Sequence, residues 1–273
     1  MHGSGPDEKM QVWKGSRNMK PLEIKHRVIG GGEPLICVPV VEQDAQSVIR
    51  EITYLSQSTA DMIEWRVDAF RDFTDYNAIR SVFEAVAPLL GEKLFLYTFR
   101  TAHQGGMAQV KAEQLDDLHD LAAESGCVDL VDLEFFEEDR PLHKIKRLRE
   151  MGVSVIASHH DFEQTPSPEV MKMLLEKMCA GGADIVKLAV MPQNYKDVLN
   201  LLDVTAQFRE ENPDTPVITM SMGSLGGISR ISGETFGSCV TFGAHEKPSA
   251  PGQFAMKELR QMLDTIHASS RIQ

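Results

Sequence analysis

Short apolar runs alternate with amphipathic segments along the chain from residue 35 onward. Each run has four to eight residues and is rich in Val, Ile, Leu or Phe, which is typical of buried β-strands. The predicted strands are Leu35–Val41, Met62–Val67, Lys93–Arg100, Leu130–Phe136, Val153–Ser158, Ile185–Val190, Val217–Met222 and Cys239–Phe242. Between the runs, apolar residues recur at helical spacing. The predicted helices are Gln43–Leu55, Tyr76–Leu90, Ala108–Ala123, Leu142–Met151, Glu169–Met178, Asn194–Phe208 and Gln253–Ile266.

This alternation of strands and helices predicts an α/β protein built from parallel βαβ units. Eight units in about 210 residues favour a closed (β/α)8 TIM barrel, with an open doubly wound sheet as the alternative. Residues Leu22–Ile29 precede three glycines and predict a short β-hairpin that closes the bottom of the barrel. Residues 1–20 are polar and without periodicity, so we expect a disordered extension or cloning remnant, followed by a single catalytic domain over residues 21–273.

The composition is that of an ordinary globular protein, with 42% hydrophobic and 25% charged residues. A formal net charge of -12 argues against nonspecific binding to nucleic acid. No segment reaches the roughly 20 apolar residues of a membrane span, and the N-terminus lacks an apolar signal-peptide core. We therefore expect a cytoplasmic enzyme. The four cysteines form no C-x-x-C pair and are predicted to be free thiols.

A lysine lies inside an apolar strand, which is the most unusual feature of the sequence. Lys187 stands in the middle of Ile185–Val190, where an ammonium group is costly unless it is paired or deprotonated. A neutral lysine is a nucleophile toward carbonyl groups, and a histidine on a neighbouring strand can move its protons. His160 follows the preceding strand. His159 and His160 should face opposite ways, so they are not expected to share a metal ion.

Polar residues gather on the second, third and fourth predicted strands, toward the ends where a barrel holds its active site. Glu64, Arg66 and Asp68 alternate along the second strand and can hydrogen-bond a polyhydroxy substrate or form a structural ion-pair network. Arg100 ends the third strand, where it is either a site cation or part of a surface salt bridge. Asp132 in the fourth strand is an inward acid that can hold a catalytic histidine or lysine, or only balance internal charge.

The loops after the last two predicted strands carry candidate anion-binding groups. Arg230 follows a Gly-rich segment, and an arginine delivered to the rim suits bidentate carboxylate recognition. Ser249 and Gln253 follow the eighth strand, where hydroxyl, amide and backbone groups can close around an anion. Met222 ends the seventh strand and can form an apolar wall, although packing is the commoner use of methionine.

These motifs together resemble a known family, and the match runs from about Leu22 to the C-terminus. The motifs that carry the resemblance are Glu64–Asp68, Thr98–Arg100 with its Gly-Gly loop, Ser158–Phe162, Lys187, Met220–Met222, Ser229-Arg230, Phe236–Ser238, Thr241–Gly243 and Ser249–Gln253. In this order and spacing they resemble the type I 3-dehydroquinate dehydratases of the shikimate pathway.

The resemblance implies a (β/α)8 lyase that converts 3-dehydroquinate to 3-dehydroshikimate without a metal or an added cofactor, and it suggests a homodimer. The family's Schiff-base lysine falls on Lys187, and its general acid/base histidine falls on His160. The resemblance also implies three groups of substrate-binding residues: hydroxyl ligands at Glu64, Arg66 and Arg100, carboxylate ligands at Arg230, Ser249 and Gln253, and a wall residue at Met222.

One position departs from the family pattern. Family members commonly have glutamate just before the Gly-Gly pair of the third loop, and this chain has Gln104. A glutamine cannot hold negative charge or transfer a proton, so we do not expect this loop to take part in acid–base chemistry. Two alternative functions remain open: a class I aldolase, which uses the same imine to break a carbon–carbon bond, and a non-catalytic relative that binds dehydroquinate.

Overall fold

A computed structural model describes residues Leu22–Ser270, so the predicted extension 1–20 lies outside the described residues. No helix in this part of the chain is long and apolar enough to cross a membrane. The strands are β1 (Leu22–Ile24), β2 (Arg27–Ile29), β3 (Leu35–Val40), β4 (Met62–Arg66), β5 (Leu94–Thr98), β6 (Leu130–Glu134), β7 (Ser154–Asp161), β8 (Ile185–Val190), β9 (Val217–Ser221) and β10 (Val240–Phe242). The helices are α1 (Ala45–Ser56), α2 (Tyr76–Val86), α3 (Ala112–Glu124), α4 (Pro141–Glu150), α5 (Pro168–Ala180), α6 (Tyr195–Glu211), α7 (Gly227–Ile231), α8 (Gly233–Phe236) and α9 (Met256–Ser270).

The eight strands β3–β10 form one parallel sheet that closes on itself. They follow chain order around the sheet, with β10 paired to β3. The last gap is closed between β9 and β10 by a parallel bridge between Val217 and Ser238, where the Cys239 N–H donates to the Val217 carbonyl at 2.8 Å. The predicted (β/α)8 barrel is therefore confirmed, and the open doubly wound alternative is wrong.

Alternating side chains divide each barrel strand between two apolar environments. Outward residues such as Trp65 and Val186 pack under the helices in a large buried cluster. Inward residues near the amino ends of the strands form a second cluster that fills the lower barrel, including Met62, Leu130 and Ile185. This floor is dry and apolar, so polar inward residues are confined to the layers above it, toward the carboxyl ends of the strands.

The antiparallel hairpin β1–β2 covers the amino ends of the barrel strands. Ile29 is fully buried among the inward residues of the floor. Arg27 pairs with Asp61 at 3.0 Å, and the Lys25 ammonium donates to the Lys93 carbonyl at 2.8 Å. These contacts place the hairpin where the sequence predicted it, with its apolar residue plugging the bottom of the barrel.

Several element boundaries differ from the prediction, and three of these differences have identifiable reasons. The fifth barrel strand, β7, continues past the predicted end at Ser158 to Asp161, because its ladder with β8 runs on to the pair Asp161–Val190. The helices α3 and α9 begin later than predicted. A bridge between Thr101 and Ala108 and another between Ala244 and Ala255 hold the preceding residues in extended loops.

A buried histidine in α3 lies away from the barrel's interior. His119 is 3% exposed, and neither ring nitrogen has a hydrogen-bond partner within residues 22–270. Its ring meets that of Tyr97 edge-on, with 6.4 Å between the centroids. Burial, assisted by the nearby Lys144 ammonium, lowers the pKa of His119 to about 4. The folded chain therefore keeps the His119 side chain neutral near neutral pH, whereas in the unfolded chain the pKa of this histidine is about 6.5.

We expect His119 to make the fold sensitive to acid. Its pKa is lower in the folded chain, so the unfolded chain binds more protons and stability falls as the pH drops below about 6.5. Between about pH 7.5 and 5, this residue should cost the protein about 2 kcal/mol of unfolding free energy. His119→Phe, which keeps a ring against Tyr97, should lose about 2 kcal/mol less over that interval in urea unfolding. His119→Gln should share the flatter pH dependence, and equal acid losses in all three proteins would contradict the assignment.

Candidate active site

A cavity opens at the carboxyl ends of the barrel strands, above the apolar floor. Eight of the nine residues predicted to form the site line it: Glu64, Arg66, Arg100, His160, Lys187, Met222, Ser249 and Gln253. Arg230, the ninth, does not line it. The location is the one at which (β/α)8 enzymes carry their catalytic groups.

Lys187 lies at the centre of β8 with its side chain inside the barrel. The residue is 3% exposed, and its ammonium lies 2.9 Å from the Asp132 carboxylate and 4.5 Å from the centre of the Phe242 ring. A lysine buried in a strand is either paired with an acid or deprotonated, and the structure shows pairing with an acid. The amine is therefore fixed in position, and it must lose its proton before it can attack a carbonyl.

Asp132 is the acid to which the cations of the site are tied. Besides Lys187, it accepts a hydrogen bond from the Ser158 hydroxyl and pairs with Arg100 at 2.8 Å. Burial alone raises the pKa of Asp132, but Arg100 and Lys187 outweigh that effect and hold it well below its usual range. Asp132 is thus a permanent anion that positions the lysine, as one of the two interpretations of the sequence anticipated.

His160 lies near the end of β7 and lines the same cavity as Lys187. Its backbone N–H donates to Gln104 Oε1 at 2.9 Å, and its ring Nδ1 lies 3.0 Å from the same oxygen. Burial, followed by the positive charges of Arg100 and Lys187, lowers the pKa of His160 well below its ordinary value. The resting imidazole is therefore neutral and able to accept a proton. His159 faces the other way, with its ring 5.4 Å from that of Phe136, as alternation predicted.

The contact between Gln104 and His160 is the feature of the site that the sequence analysis missed. Gln104 is 2% exposed and comes from the loop after β5. Gly105 has a φ of +81°, and a side chain there would meet the Phe162 ring at 2.4 Å. The Gly-Gly pair was the available signal, because it marks a loop that packs closely. The loop therefore contacts His160 directly, and the expectation that it takes no part in proton transfer stays a prediction.

Buried ion pairs occupy the arginines predicted to contact substrate hydroxyls. Arg66 forms two hydrogen bonds of 2.8 Å with Asp68. Arg100 pairs with Glu134 at 2.9 Å in addition to its contact with Asp132. Both arginines still line the cavity, so each can present remaining N–H groups to a ligand while its charge is balanced within the protein. The structural ion-pair interpretation is therefore correct for Arg66, whereas the ion pairs of Arg100 are buried and do not form a surface salt bridge. Both arrangements are compatible with a binding role.

Glu64 lies between these pairs on the inner face of β4. It is 3% exposed and accepts a hydrogen bond of 2.8 Å from the Thr98 hydroxyl through Oε1. No arginine or lysine within the described chain forms a salt bridge with it, so its second oxygen is available to a hydroxyl donor in the cavity.

Arg230 differs from every other cation of the site because no acid neutralises it within residues 22–270. It is 1% exposed, and Nη2 donates to the Pro251 carbonyl at 3.0 Å. Its Nε and Nη1 atoms are buried and have no hydrogen-bond partner in the described chain. Burial lowers its pKa to about 10, which leaves it charged at neutral pH. These unused N–H groups of an unpaired guanidinium are available to a carboxylate.

Ser249 and Gln253 lie on the loop that joins β10 to α9, and they bond to each other. The Ser249 N–H donates to Gln253 Oε1 at 2.8 Å, and Gln253 Nε2 donates to the Ser249 hydroxyl at 2.9 Å. Pro251 between them accepts from Gly223 and from Arg230. The loop therefore connects the unpaired guanidinium to the cavity, and its polar groups are satisfied internally until a ligand competes for them.

The charged groups of the site do not form a metal centre. Within residues 22–270, no group of three or more histidine, cysteine, aspartate or glutamate side chains is arranged to hold a metal ion. The nearest acids of the cavity are each engaged by arginine, lysine or hydroxyl donors. The arrangement instead provides an amine, a neutral imidazole and an unpaired guanidinium, which suit imine chemistry on an anionic carbonyl compound.

This arrangement defines a (β/α)8-barrel enzyme with a buried lysine and a histidine that line one cavity. The chain belongs to the type I 3-dehydroquinase family, whose model matches residues 36–270, and it is a hydro-lyase. The family resemblance inferred from the motifs is thus confirmed. The 3-dehydroquinate dehydratases of Syntrophotalea carbinolica and Listeria monocytogenes are 41% and 42% identical over 250 residues, 91% of this chain and 99% of each relative.

Solved structures give the same result. The type I 3-dehydroquinate dehydratase of Clostridium difficile, solved with covalently modified comenic acid, superposes with a TM-score of 0.88 at 38% identity, covering 92% of this chain and 99% of that one. The Geobacillus kaustophilus enzyme superposes with a TM-score of 0.89 at 36% identity, covering 92% and 98%. The expected homodimer and cytoplasmic location stay predictions.

Asp132→Asn should strongly destabilise the fold, because it leaves the buried charges of Lys187 and Arg100 undercompensated. We expect a loss of about 3–5 kcal/mol in the free energy of unfolding, measured by urea titration at neutral pH. The matched control is Asp117→Asn on the exposed face of α3, which should change stability by no more than about 0.5 kcal/mol. Wild-type stability in Asp132→Asn would show that the ion pair does not hold this layer together.

Proposed function

We propose that this protein removes water from 3-dehydroquinate to give 3-dehydroshikimate through an imine at Lys187. The observation that carries the proposal is that Lys187 and His160 line one cavity, the first as a positioned amine and the second as a neutral base. The relatives described above are named for this dehydration, and one of them was solved with a covalently modified compound. The proposal assigns the chemistry of these relatives to named groups of this chain.

Substrate binding begins with charge. The carboxylate of 3-dehydroquinate supplies the anion that Arg230 lacks, and it accepts hydrogen bonds from unused N–H groups of the guanidinium. Ser249 and Gln253 exchange their mutual hydrogen bonds for bonds to the same carboxylate. At the other side of the cavity, Glu64, Arg66 and Arg100 bind the ring hydroxyls. Anchored at both sides, the ring presents its ketone to Lys187, and Met222 forms an apolar wall beside it.

Imine formation consumes the amine and releases a water molecule. The Lys187 ammonium first passes a proton to a base, and the free amine adds to the ketone carbon to give a carbinolamine. The base returns the proton to the hydroxyl group of this adduct, and loss of water then gives a protonated imine. The positive charge stays on the same nitrogen, beside Asp132, so the ion pair of the resting site also stabilises the iminium.

Elimination then uses the iminium as an electron sink. His160 takes a proton from the carbon next to the imine, and the electron pair moves to nitrogen to form an enamine. The enamine returns that pair and expels the β-hydroxyl group, which leaves as water with the proton carried by His160. Hydrolysis of the resulting imine releases the product and restores Lys187. Positioned proton transfer of this kind contributes about 10²–10⁴-fold to the rate.

A class I aldolase is the alternative that shares these groups. It would form the same iminium but would cleave a carbon–carbon bond, so an assay for retro-aldol products separates it from the dehydratase. The arrangement of Lys187 and His160 disfavours a binding protein without activity. Both residues line one cavity, and a site that only binds its ligand requires neither a buried amine nor a neutral imidazole.

Borohydride trapping tests the covalent step directly. Reduction in the presence of 3-dehydroquinate should add the mass of the reduced adduct to the peptide that contains Lys187, as measured by mass spectrometry. Lys187→Ala should form no adduct. It should also show no increase in the absorbance of the enone product, 3-dehydroshikimate. His160→Ala should keep adduct formation while turnover falls about 10²–10⁴-fold. Labelling of a different lysine, or full turnover by Lys187→Ala, would exclude the mechanism.

Arg230→Gln tests the carboxylate anchor. Removing the unpaired charge should raise KM for 3-dehydroquinate by about tenfold or more, equivalent to at least about 1.4 kcal/mol of lost binding, with a smaller effect on kcat. Arg209→Gln, at an arginine of α6 on the outside of the barrel, is the matched control and should leave KM unchanged. An unaltered KM in Arg230→Gln would place the carboxylate elsewhere.

A further inference from the structure

Two hydrogen-bond donors of one residue converge on a single amide oxygen at the edge of the cavity. Gln104 Oε1 accepts the backbone N–H of His160 at 2.9 Å, and Nδ1 of the same histidine lies 3.0 Å from that oxygen. A backbone N–H can only donate, so the atom that faces it must be the oxygen of the amide and not its NH₂ group. The orientation of the amide is therefore fixed by the main chain of β7.

This orientation determines where the imidazole carries its proton. A carbonyl-type oxygen has no proton to give, so Nδ1 can bond to it only as N–H. A neutral imidazole has a single N–H, which leaves Nε2 with the free lone pair. Nε2 makes no hydrogen bond with any residue between Leu22 and Ser270, whereas the His160 side chain lines the cavity that also contains Lys187.

We infer that Gln104 is a positioning residue that holds the proton of His160 on Nδ1, making Nε2 the base, and that it does so without placing a negative charge beside the ring. The inference deepens the proposed function, on which the role of Nε2 toward substrate depends. The tautomer itself is a property of the free protein and can be measured without substrate.

The absence of charge on residue 104 has its own consequence. A carboxylate within about 4–6 Å of an imidazole stabilises the imidazolium and raises its pKa, whereas an amide does not. Burial and neighbouring cations already favour neutral His160. With an amide at position 104, the imidazole therefore stays unprotonated down to a lower pH than it would with a carboxylate there. The charged groups that act on His160 from the surrounding elements are Arg66 on β4, Arg100 just after β5, Asp132 on β6 and Lys187 on β8.

The loop geometry explains how an exposed turn can position a buried side chain. Gly106 lies so close to β5 that a Cβ there would be 1.8 Å from the Arg100 carbonyl oxygen, and Gly105 packs on Phe162. Phe162 in turn stacks on His160, with 6.3 Å between the ring centroids and 18° between the planes. The imidazole is thus held by the amide at one edge and by the phenyl ring across its face.

The first test reads the tautomer by NMR. Long-range proton–nitrogen spectra of the ¹⁵N-histidine-labelled protein, with His160 assigned from its absence in His160→Asn, should show Nδ1 protonated and Nε2 unprotonated. Gln104→Met, which keeps the length of the side chain and removes the acceptor, should mix the two tautomers and lower kcat by roughly 10–100-fold, the range seen when a partner that orients a metal-bound imidazole is lost. His103→Gln, on the exposed side of the same loop, should change neither readout.

The second test separates charge from orientation. Gln104→Glu should keep Nδ1 protonated and keep turnover on the alkaline plateau, while the acidic limb of the kcat/KM profile for 3-dehydroquinate moves to higher pH by about one unit or more. An unchanged tautomer in Gln104→Met, or superimposable pH profiles for Gln104→Glu and wild type, would overturn the inference. If the wild-type protein showed no dehydratase activity but had the tautomer described here, only the proposed function would be rejected.

Discussion

Lys187 and Asp132 form a buried ion pair of 2.9 Å in the middle of the barrel, and the other polar groups of the site are arranged around it. Neither charge could remain alone in this position, because burying an unpaired ion among apolar strands costs roughly several kcal/mol of folding free energy. Asp132 also accepts a hydrogen bond from Ser158 and pairs with Arg100, which connects β6 to β7, β8 and the segment that follows β5. The pair thus fixes the amine in position, and one carboxylate links three strands and a loop.

Strand alternation explains which parts of this site could be predicted from the sequence. In a barrel with an apolar floor, every second residue near the carboxyl ends faces the cavity, so Glu64, His160 and Lys187 follow from their positions in the runs. The opposite orientation of His159 follows from the same rule. Local pattern is sufficient here because each side chain's direction is set by its own strand.

Contacts between loops and strands could not be predicted in the same way. Gln104 lies 56 positions before His160, and no periodicity links the two. Arg230 follows a Gly-rich segment whose path is set by contacts with Pro251 of another loop, so its place behind the cavity lining depended on the closed fold. The late starts of α3 and α9 have the same origin, since isolated bridges between distant residues hold segments extended where local spacing favours a helix.

Charge balance within the barrel gives a reason for selecting an anionic substrate. Arg66 is balanced by Asp68, Arg100 by Asp132 and Glu134, and Lys187 by Asp132. Arg230 alone among these cations has no acidic partner in the described chain, and it is also the most deeply buried of the arginines. A neutral ligand would leave the charge of this guanidinium buried and unpaired, whereas a carboxylate would neutralise that charge and accept its hydrogen bonds.

The same reasoning shows what an amide next to His160, the proposed base of the site, would change. His160 lies among three cations, and each of them opposes its protonation. A neutral base suits the first half of the proposed elimination, in which a proton leaves carbon. Once His160 is protonated, those cations drive the proton back out toward the departing hydroxyl group. A carboxylate at position 104 would weaken that drive by stabilising the imidazolium, and the neutral Gln104 keeps the histidine oriented while preserving it.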